Sequence, residues 1–452
     1  MSCKVNVSTL DDETLKSLKS KALLKIESSS FFSKNGKGQQ EFVKLTRLIP
    51  ETNDVFIPFA MARKYNLPIP DRKKFPPFPE IQFNGVLREN QNDVKREAID
   101  LLEKHHSVII SCYTGFGKTI GSINLALKLK LKTLIVVTRV VLMDQWKESI
   151  IRFCSKKNED DGTPLVEIIT SSSKDDYVMC NFAIINAVNI SKMEPGFLES
   201  FGTVIVDEVH LVMAKKTFRN LLHVTPRYLI ALSATSYRSD GLDALFPIFF
   251  GNGKIKRDLK REHTIYKVTT SFKPEVKFDI NGKMNWNALL EEQASNEERN
   301  RLIIKIVNEN PERTFLILVK RIKQGEWLAK ELKQSFLERE MGQLTLNNEK
   351  SGGVETLFGS NQKFDKSCRV LIGTSSKIGT GFDFDKLDTL LLAADVVEYY
   401  IQFLGRIMRR EDVHPIIFDF VDRNKTLLKH YSERLKVYKK HGGIIKDWTS
   451  KS

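Results

Sequence analysis

Short apolar runs alternate with longer mixed segments over most of this chain. The runs are rich in Val, Ile and Leu and lack any alternation of apolar and polar positions, so each predicts a strand buried on both faces. In the first region these runs occupy residues 108–110, 134–137, 183–185, 204–206 and 229–232, and in the second they occupy residues 315–319, 370–372, 390–392 and 416–418.

The segments between these runs have helical periodicity. From Thr119 to Lys130, for example, Ile120, Ile123 and Leu127 fall on one helical face. Buried strands joined by helices are typical of parallel sheets that carry helices on both faces. We therefore predict an α/β protein with two tandem, doubly wound parallel-sheet domains.

The length of 452 residues is enough for two such domains and a smaller module. The predicted order is a small N-terminal module (1–80), a first α/β domain (81–250), a linker (251–295), a second α/β domain (296–425) and a basic C-terminal tail (426–452). From Arg423 onwards the chain carries nine Lys or Arg residues against two acidic ones. The tail is predicted to be either a solvated helix or a nucleic-acid contact.

Composition excludes several classes of protein. No apolar stretch approaches the roughly 18 residues of a membrane span, and the first residues contain no hydrophobic signal core, so we expect an intracellular protein without a membrane partner. The five cysteines are far apart and never spaced as CxxC, which argues against a disulfide framework, a zinc ribbon and an iron–sulfur cluster. They are predicted to be packed free thiols.

The charge balance points to a polyanionic partner. The chain has 71 Lys and Arg residues against 56 Asp and Glu residues, a net charge of +15. This excess favours nucleic acid over a membrane surface as the partner.

The segment from Ser111 to Thr119 directly follows a predicted strand and precedes a predicted helix. Its glycines allow backbone N–H groups to converge on phosphate oxygens, although Cys112 stands where the strict P-loop pattern has glycine. Lys118 is suited to the β- and γ-phosphates, and the Thr119 hydroxyl is suited to Mg²⁺. The segment predicts a nucleoside-triphosphate site.

An acidic pair ends another predicted strand. Asp207 and Glu208 follow three apolar residues, at the carboxyl end where open α/β sheets bind ligands. Asp207 is suited to the Mg²⁺ shell, and Glu208 is suited to polarising the water that attacks the γ-phosphate. His210 is predicted to relay between the nucleotide and the neighbouring domain.

Two arginines near the end of the chain form a third motif. Arg406 and Arg409 are three residues apart, which predicts that both lie on one face of a helical segment. Delivered to a γ-phosphate from the second domain, their guanidinium groups would stabilise transition-state charge.

Together these features resemble motifs I, II and VI of the superfamily 2 DExH-box helicases. Other motifs of that family occur in the same order: the upstream adenine-recognition motif at residues 87–91, motif Ia at 138–146, motif III at 233–235, motif IV at 318–327 and motif V at 373–383. The resemblance extends over roughly residues 85–425, and the ordered set makes it specific.

The resemblance implies two RecA-like domains that use ATP and Mg²⁺. It implies catalytic roles for Lys118, Asp207, Glu208, Gln402, Arg406 and Arg409. It implies ATP contacts from Gln91, Tyr113, Thr114, Gly115, Phe116, Gly117, Lys118, Thr119, Gly381 and Asp383, and Mg²⁺ contacts from Thr119 and, through water, Asp207. It implies coupling roles for His210, Ser233 and Thr235, and nucleic-acid contacts from Arg139, Asn186, Lys320 and Thr374.

The Gln-Trp pair of motif Ia and residues 207–219 and 233–241 resemble the XPB-type branch of this superfamily. That branch includes DNA translocases and the transcript-release helicases of poxviruses and other large DNA viruses. The resemblance implies a helicase or translocase acting on DNA in viral transcription, replication or recombination, with transcription or replication factors as partners, in the host cytoplasm, virion or nucleus. Two alternatives stay open: an RNA helicase, and a scaffold that binds nucleic acid without turnover.

Overall fold

The computed structural model describes residues 1–27, 40–75, 77, 80–156, 162–170, 180–214, 217–233, 244–278, 282, 284–343, 353–359, 361, 363–378, 382, 384–396 and 400–450. The chain divides into two compact units, Met1–Arg257 and Asp258–Ser452. We refer to them as the first and second units.

The first unit contains fourteen strands and eight α-helices in its described part. Its strands are β1 (Ser2–Asn6), β2 (Leu23–Glu27), β3 (Gln40–Lys44), β4 (Arg47–Ile49), β5 (Asp54–Pro58), β6 (Ile81–Phe83), β7 (Ser107–Cys112), β8 (Thr133–Val137), β9 (Cys154–Lys156), β10 (Val166–Ile169), β11 (Phe182–Asn186), β12 (Thr203–Val206), β13 (Tyr228–Ser233) and β14 (Lys254–Arg257). Its helices are α1 (Asp12–Lys21), α2 (Phe59–Lys64), α3 (Glu89–His105), α4 (Lys118–Leu129), α5 (Val140–Phe153), α6 (Pro195–Glu199), α7 (Val209–Val212) and α8 (Leu245–Phe250).

A seven-stranded parallel sheet forms the centre of the first unit. Its strand order is β10-β11-β8-β12-β13-β7-β14, and every neighbouring pair is parallel. Residues of β8 and β12 are fully buried because helices cover both faces of the sheet. The carboxyl ends of all seven strands therefore meet at one edge.

The N-terminal residues are packed into the first unit and do not form a separate domain. Strands β1, β5 and β4 form a small antiparallel sheet, while β2 and β3 form a hairpin. Met1, Ile57 and Phe59 belong to the same apolar cluster as Val204 and Phe249 of the first unit. The predicted boundary at residue 80 thus separates two sheets that share one hydrophobic core.

The second unit has seven strands and six α-helices in its described part. Its strands are β15 (His263–Thr269), β16 (Phe315–Val319), β17 (Val354–Leu357), β18 (Val370–Thr374), β19 (Thr389–Leu392), β20 (Ile416–Val421) and β21 (Gly443–Asp447). Its helices are α9 (Trp286–Ser295), α10 (Glu297–Glu309), α11 (Ile322–Gln343), α12 (Ser375–Ile378), α13 (Tyr400–Ile407) and α14 (Lys425–Lys440).

The second unit is also centred on a seven-stranded parallel sheet, with strand order β17-β18-β16-β19-β20-β15-β21. Each neighbouring pair is parallel. Two tandem parallel sheets confirm the predicted fold class.

The segment predicted as a linker, 251–295, differs from the prediction. It contains β14, which pairs with β7 in the first sheet, and β15, which lies between β20 and β21 in the second. The segment was predicted as a linker with some strand. The basic character of residues 254–261 hid the place of β14 in the sheet, because this edge strand buries only Ile255. The division between the units falls between residues 257 and 258.

The segment predicted as a tail, 426–452, is an integral part of the second unit. Helix α14 carries Arg434, which is 5% exposed and donates hydrogen bonds of 2.8 and 2.9 Å to Asp419 of β20 and one of 2.9 Å to Asp395. Tyr438 donates a further bond of 2.6 Å to Asp419. Strand β21 then completes the edge of the sheet. A free solvated helix therefore does not describe this segment, while its contact with nucleic acid stays a prediction.

The five cysteines are buried free thiols, as predicted. Burial raises the pKa of Cys112 to about 11 and that of Cys154 to about 12. The thiols are therefore protonated at neutral pH and act as small apolar side chains.

Candidate ATP and nucleic-acid site

The loop between β7 and α4, residues 113–117, turns through two glycines. Gly115 and Gly117 have φ angles of +87° and +89°, in the left-handed region that favours glycine. At Gly117 an added Cβ would also lie 2.3 Å from Nε2 of Gln91. The path of this loop therefore requires glycine at position 117.

Lys118 is the first residue of α4, and its side chain folds back over the loop. Its Nζ donates to the carbonyl oxygens of Cys112 at 2.9 Å and Tyr113 at 3.3 Å. The ammonium group thus lies beside the N-terminus of a helix, where the exposed N–H groups attract anions. This arrangement is suited to a phosphate chain.

Gln91 contacts the loop as part of a capping box at the start of α3. Its Oε1 accepts the backbone N–H of Arg88 at 2.8 Å, and its Nε2 donates to the carbonyl oxygen of Phe116 at 2.9 Å. The side chain is 5% exposed. Gln91 therefore holds the loop in place, a role that the sequence did not predict, while its contact with adenine stays a prediction.

Arg88 is a second residue that sequence reasoning missed. Its guanidinium group donates to the carbonyl oxygens of Gly115 and Phe116. It lies within the predicted adenine-recognition motif, residues 87–91, and three residues before Gln91, which is the spacing of a capping box, but no role was assigned to it.

The remaining loop residues differ in burial. Phe116 is buried, and its ring stands edge-on to the half-buried ring of Tyr113 at a centroid distance of 5.4 Å. Thr114 and Thr119 are half-buried. Their hydroxyl groups thus lie where solvent and ligands can reach this end of the sheet.

Asp207 follows β12 and is 8% exposed. Its Oδ2 accepts the indole N–H of Trp146 at 2.8 Å, and its Oδ1 accepts the backbone N–H of Glu208 at 2.9 Å. Burial and then the charge of Glu208 raise the pKa of Asp207 to about 6, against the lowering effects of Trp146 and Lys118. Trp146, the tryptophan of the Gln-Trp pair in motif Ia, is buried and orients this carboxylate.

Glu208 has an unusual backbone conformation for a residue with a side chain. Its φ and ψ are 44° and 51°, in the left-handed region, which costs about 1–3 kcal/mol for a residue that is not glycine. Its Oε2 lies 3.4 Å from Nδ1 of His210, and the same Nδ1 lies 3.0 Å from Oγ of Ser233. These side-chain contacts therefore link the end of β12 to the end of β13. Thr235 lies outside the described residues.

The order of the strands explains why these residues converge. Strands β12, β13 and β7 are neighbours, so their carboxyl ends bring together Asp207, Ser233 and the loop that precedes Lys118. Arg139 follows β8, and Asn186 ends β11 on the other side of β12. The predicted nucleotide residues and the predicted nucleic-acid residues thus occupy adjacent parts of one sheet edge.

In the second unit, Lys320 and Thr374 lie at the carboxyl ends of two paired strands. Thr374 is the last residue of β18 and pairs with Val319, directly before Lys320. The structure therefore brings together the two predicted nucleic-acid contacts of this unit. Gly381 and Asp383 lie outside the described residues.

The arginine motif is arranged differently from its prediction. Helix α13 ends at Ile407, so Arg406 lies in its last turn and Arg409 lies beyond it. Arg406 is 8% exposed, donates to the carbonyl oxygen of Phe382 and lies over the Phe382 ring at 5.7 Å. Arg409 is half-buried. Gln402 on the same helix is 1% exposed, and its amide group has no hydrogen-bond partner among the described residues.

Comparisons with known proteins identify the family to which this chain belongs. A family model for the res subunit of type III restriction enzymes (ResIII) matches residues 84–238. The chain is 69% identical over 453 residues to the predicted helicase 161L of invertebrate iridescent virus 6, covering 99% of this chain and 100% of that protein. This chain belongs to the superfamily 2 helicases of large DNA viruses. It is therefore an ATP-dependent nucleic-acid helicase.

Two more distant relatives of this helicase have names that mention a substrate. A predicted ATP-dependent RNA helicase of Acanthamoeba polyphaga mimivirus is 26% identical over 451 residues, covering 96% of this chain and 83% of that protein. The DNA 3'-5' translocase XPB2 of Sulfurisphaera tokodaii is 31% identical over 176 residues, covering 39% of this chain and 36% of that protein.

Among solved structures, this helicase is similar to yeast Dbp5 bound to RNA and ADP BeF3, with a TM-score of 0.53 and 13% identity, covering 78% of this chain and 89% of that one. At this identity the similarity supports the RecA-like fold alone. Within the described residues, no helix is both long and apolar enough to cross a membrane.

Proposed function

We propose that this helicase is an ATP-driven motor that moves along DNA and uses Mg²⁺ for hydrolysis. The proposal rests above all on the convergence of Asp207, Ser233 and the Lys118 loop at the ends of three neighbouring strands. ATP hydrolysis requires a helix start that binds phosphate and an acidic pair. Its coupling to movement requires a polar link to the next strand.

The acidic pair is suited to a divalent cation. Two adjacent carboxylates, one with a pKa raised to about 6, hold negative charge that a cation offsets. No cluster of three or more His, Cys, Asp or Glu side chains that could hold a metal occurs in the described parts of the chain, which fits a cation held largely by nucleotide phosphates and water. Thr119 and, through water, Asp207 would hold Mg²⁺, which supplies positive charge to the β- and γ-phosphates when bound.

Hydrolysis requires two contributions. One is a group that deprotonates or orients the attacking water, and the other is positive charge at the γ-phosphate. Glu208 is the candidate for the first role because its carboxylate follows Asp207 at the sheet edge. Lys118 is the candidate for binding the phosphates, while Arg406, Arg409 and Gln402 of the second unit are proposed to act on the γ-phosphate during turnover. Gly381 and Asp383 are proposed as further ATP contacts.

The link from Glu208 through His210 to Ser233 is a candidate for coupling. When the γ-phosphate is lost, the surroundings of Glu208 change, and His210 can pass that change to Ser233 at the end of β13. Thr235, two residues further along the chain, is proposed to take part.

DNA is proposed as the substrate because this helicase has sequence similarity to a DNA translocase. Arg139, Asn186, Lys320 and Thr374 are proposed to contact the backbone, which positions a strand without reading sequence. RNA is the second candidate, favoured by the name of the mimivirus relative. The proposed settings are viral transcription, replication or recombination.

The substrate proposal is tested by ATP turnover with duplex DNA, single-stranded DNA and single-stranded RNA of matched length. We expect DNA to stimulate turnover more than RNA does. Greater stimulation by RNA would identify an RNA helicase, and the absence of phosphate release with every nucleic acid would identify a scaffold without motor activity.

A further inference from the structure

A large groove lies in the first unit between its N-terminal helices and the central sheet. Its volume is about 1090 Å³. The groove is lined by the end of α1, the start of β2, α2, the last turns of α3 and the segment from α8 to β14. It is the place where the N-terminal residues and the first sheet present one continuous surface.

The groove is lined by positive charge. Lys21, Arg63, Lys64 and Lys254 line it, together with His105, and none of its described lining residues is acidic. All five side chains are exposed. They come from four separate segments, the last turns of α1, α2 and α3 and the strand β14, which the fold brings together at one groove.

Apolar and aromatic groups form the rest of this surface. Leu24, Leu45 and Met61 line the groove, and Lys21 lies over the ring of Tyr65 at 5.5 Å. Phe42 on β3 is 60% exposed and lies on the same face of the hairpin as Leu23, which also lines the groove. Cations beside aromatic and apolar groups are typical of surfaces that bind single-stranded nucleic acid, because such strands offer both phosphates and unstacked bases.

The groove is distinct from the ATP site. It is lined by Ser107, the first residue of β7, whereas the phosphate-binding loop follows Cys112, the last residue of that strand. The length of this strand separates the two sites by about 17 Å. A phosphate in the groove therefore cannot be the γ-phosphate of ATP.

We propose that this groove is an additional binding site for single-stranded DNA, with Arg63, Lys64 and Lys21 contacting phosphates and the apolar floor facing bases. This inference rests on the DNA-binding function proposed above. A duplex is a poorer occupant, because its bases are stacked on each other and offer no free faces to the apolar floor of the groove. An acidic polypeptide would also satisfy the cations and is the alternative that the experiment excludes.

The test compares R63Q/K64Q with K16Q/K19Q in the full chain. Both variants lose two exposed positive charges from the same N-terminal region, but Lys16 and Lys19 do not line the groove. The probe is fluorescein-labelled oligodeoxythymidylate, and affinity is measured as a function of salt concentration. Because each phosphate contact contributes about 0.7 to the salt slope of single-strand binding, R63Q/K64Q should lower the slope by about 1.4.

The control K16Q/K19Q should keep the wild-type slope, and both variants should keep the wild-type melting temperature and DNA-independent ATP turnover. Equal slopes for the two variants and the wild type would overturn the groove proposal. Loss of binding to an oligoglutamate peptide, with DNA binding retained, would overturn it in favour of an acidic partner. If the wild-type protein itself neither binds the probe nor is stimulated by DNA, the proposed function fails, which is a different result.

Discussion

The indole N–H of Trp146 on α5 donates a hydrogen bond of 2.8 Å to Oδ2 of Asp207 at the end of β12. Both side chains are buried, so this bond fixes the direction of the carboxylate that is proposed to hold Mg²⁺ through water. Partners that orient a metal-binding group commonly change metal affinity by about 10- to 100-fold.

Trp146→Phe should raise the Mg²⁺ concentration required for half-maximal ATP turnover by about 10-fold or more, because Asp207 loses its donor while the aromatic packing is largely kept. The measurement is a Mg²⁺ titration of ATP turnover. Trp327→Phe, in the second unit, is the matched control and should leave the titration unchanged. An unaltered Mg²⁺ requirement in Trp146→Phe would show that the bond is structural only.

Asp207→Asn should stabilise the nucleotide-free protein in EDTA at pH 8. The pKa of Asp207 is raised from its usual 3.8 to about 6, so the folded state binds its proton more tightly than the unfolded state. The stabilisation that the folded protein gains from holding this proton is therefore complete below about pH 4. It is lost as the pH rises through about 6. Above that pH the ionised carboxylate lowers the free energy of unfolding by about 1–3 kcal/mol.

The measurement for Asp207 is the difference in melting temperature between Asp207→Asn and wild type at pH 5 and at pH 8. We expect the larger difference at pH 8. A difference that does not depend on pH, or one that is larger at pH 5, would contradict the raised pKa.

Lys118→Ala and Glu208→Gln should separate binding from hydrolysis. Lys118→Ala should abolish ATP turnover in a folded protein, because the charge facing the phosphates is lost. Glu208→Gln should bind ATP with near wild-type affinity but hydrolyse it about 10²- to 10⁴-fold more slowly, since the carboxylate that is proposed to orient water is lost. ATP affinity and phosphate release, measured on each variant, test both roles; normal turnover in Lys118→Ala would contradict the first.

Substitutions of Arg406 and of Arg409 should have different effects on the melting temperature. Alanine at either position should slow hydrolysis by about 10³-fold or more if each acts on the γ-phosphate. Only Arg406→Ala should also lower the melting temperature, because Arg406 is buried, bonded to the Phe382 carbonyl and packed on its ring, whereas Arg409 lies past the end of α13. Loss of DNA binding in Arg409→Ala with retained turnover would instead assign Arg409 to the nucleic-acid surface.

Arg434→Ala should lower the free energy of unfolding of the second unit by about 3–5 kcal/mol, because it removes the buried cation that pairs with the buried carboxylates of Asp419 and Asp395. Lys436→Ala, which removes an exposed ion pair with Glu433, should leave the free energy of unfolding nearly unchanged, because solvent screens this pair. Urea unfolding curves provide the comparison. Equally small effects of the two substitutions would mean that α14 behaves as a solvated helix, one of the two alternatives that the sequence left open.

The sequence by itself was sufficient for the fold class and for naming the residues that the structure brings together in the candidate ATP site. Strands such as Thr203–Val206 are buried on both faces, so their composition alone identifies them. The loop before Lys118 and the pair Asp207-Glu208 depend on local spacing at the end of a strand. Local spacing is what a sequence records directly.

Only the tertiary structure decided which basic segments are part of the sheets. Lys254–Arg257 and Gly443–Asp447 form edge strands through hydrogen bonds to β7 and β15, residues that are far away in sequence. An edge strand buries few side chains, so its composition resembles that of a linker or tail. The same reason applies to Trp146, Gln91 and Arg434: each is defined by a hydrogen-bond partner that only chain folding brings within reach, and no periodicity along the chain encodes such a partner.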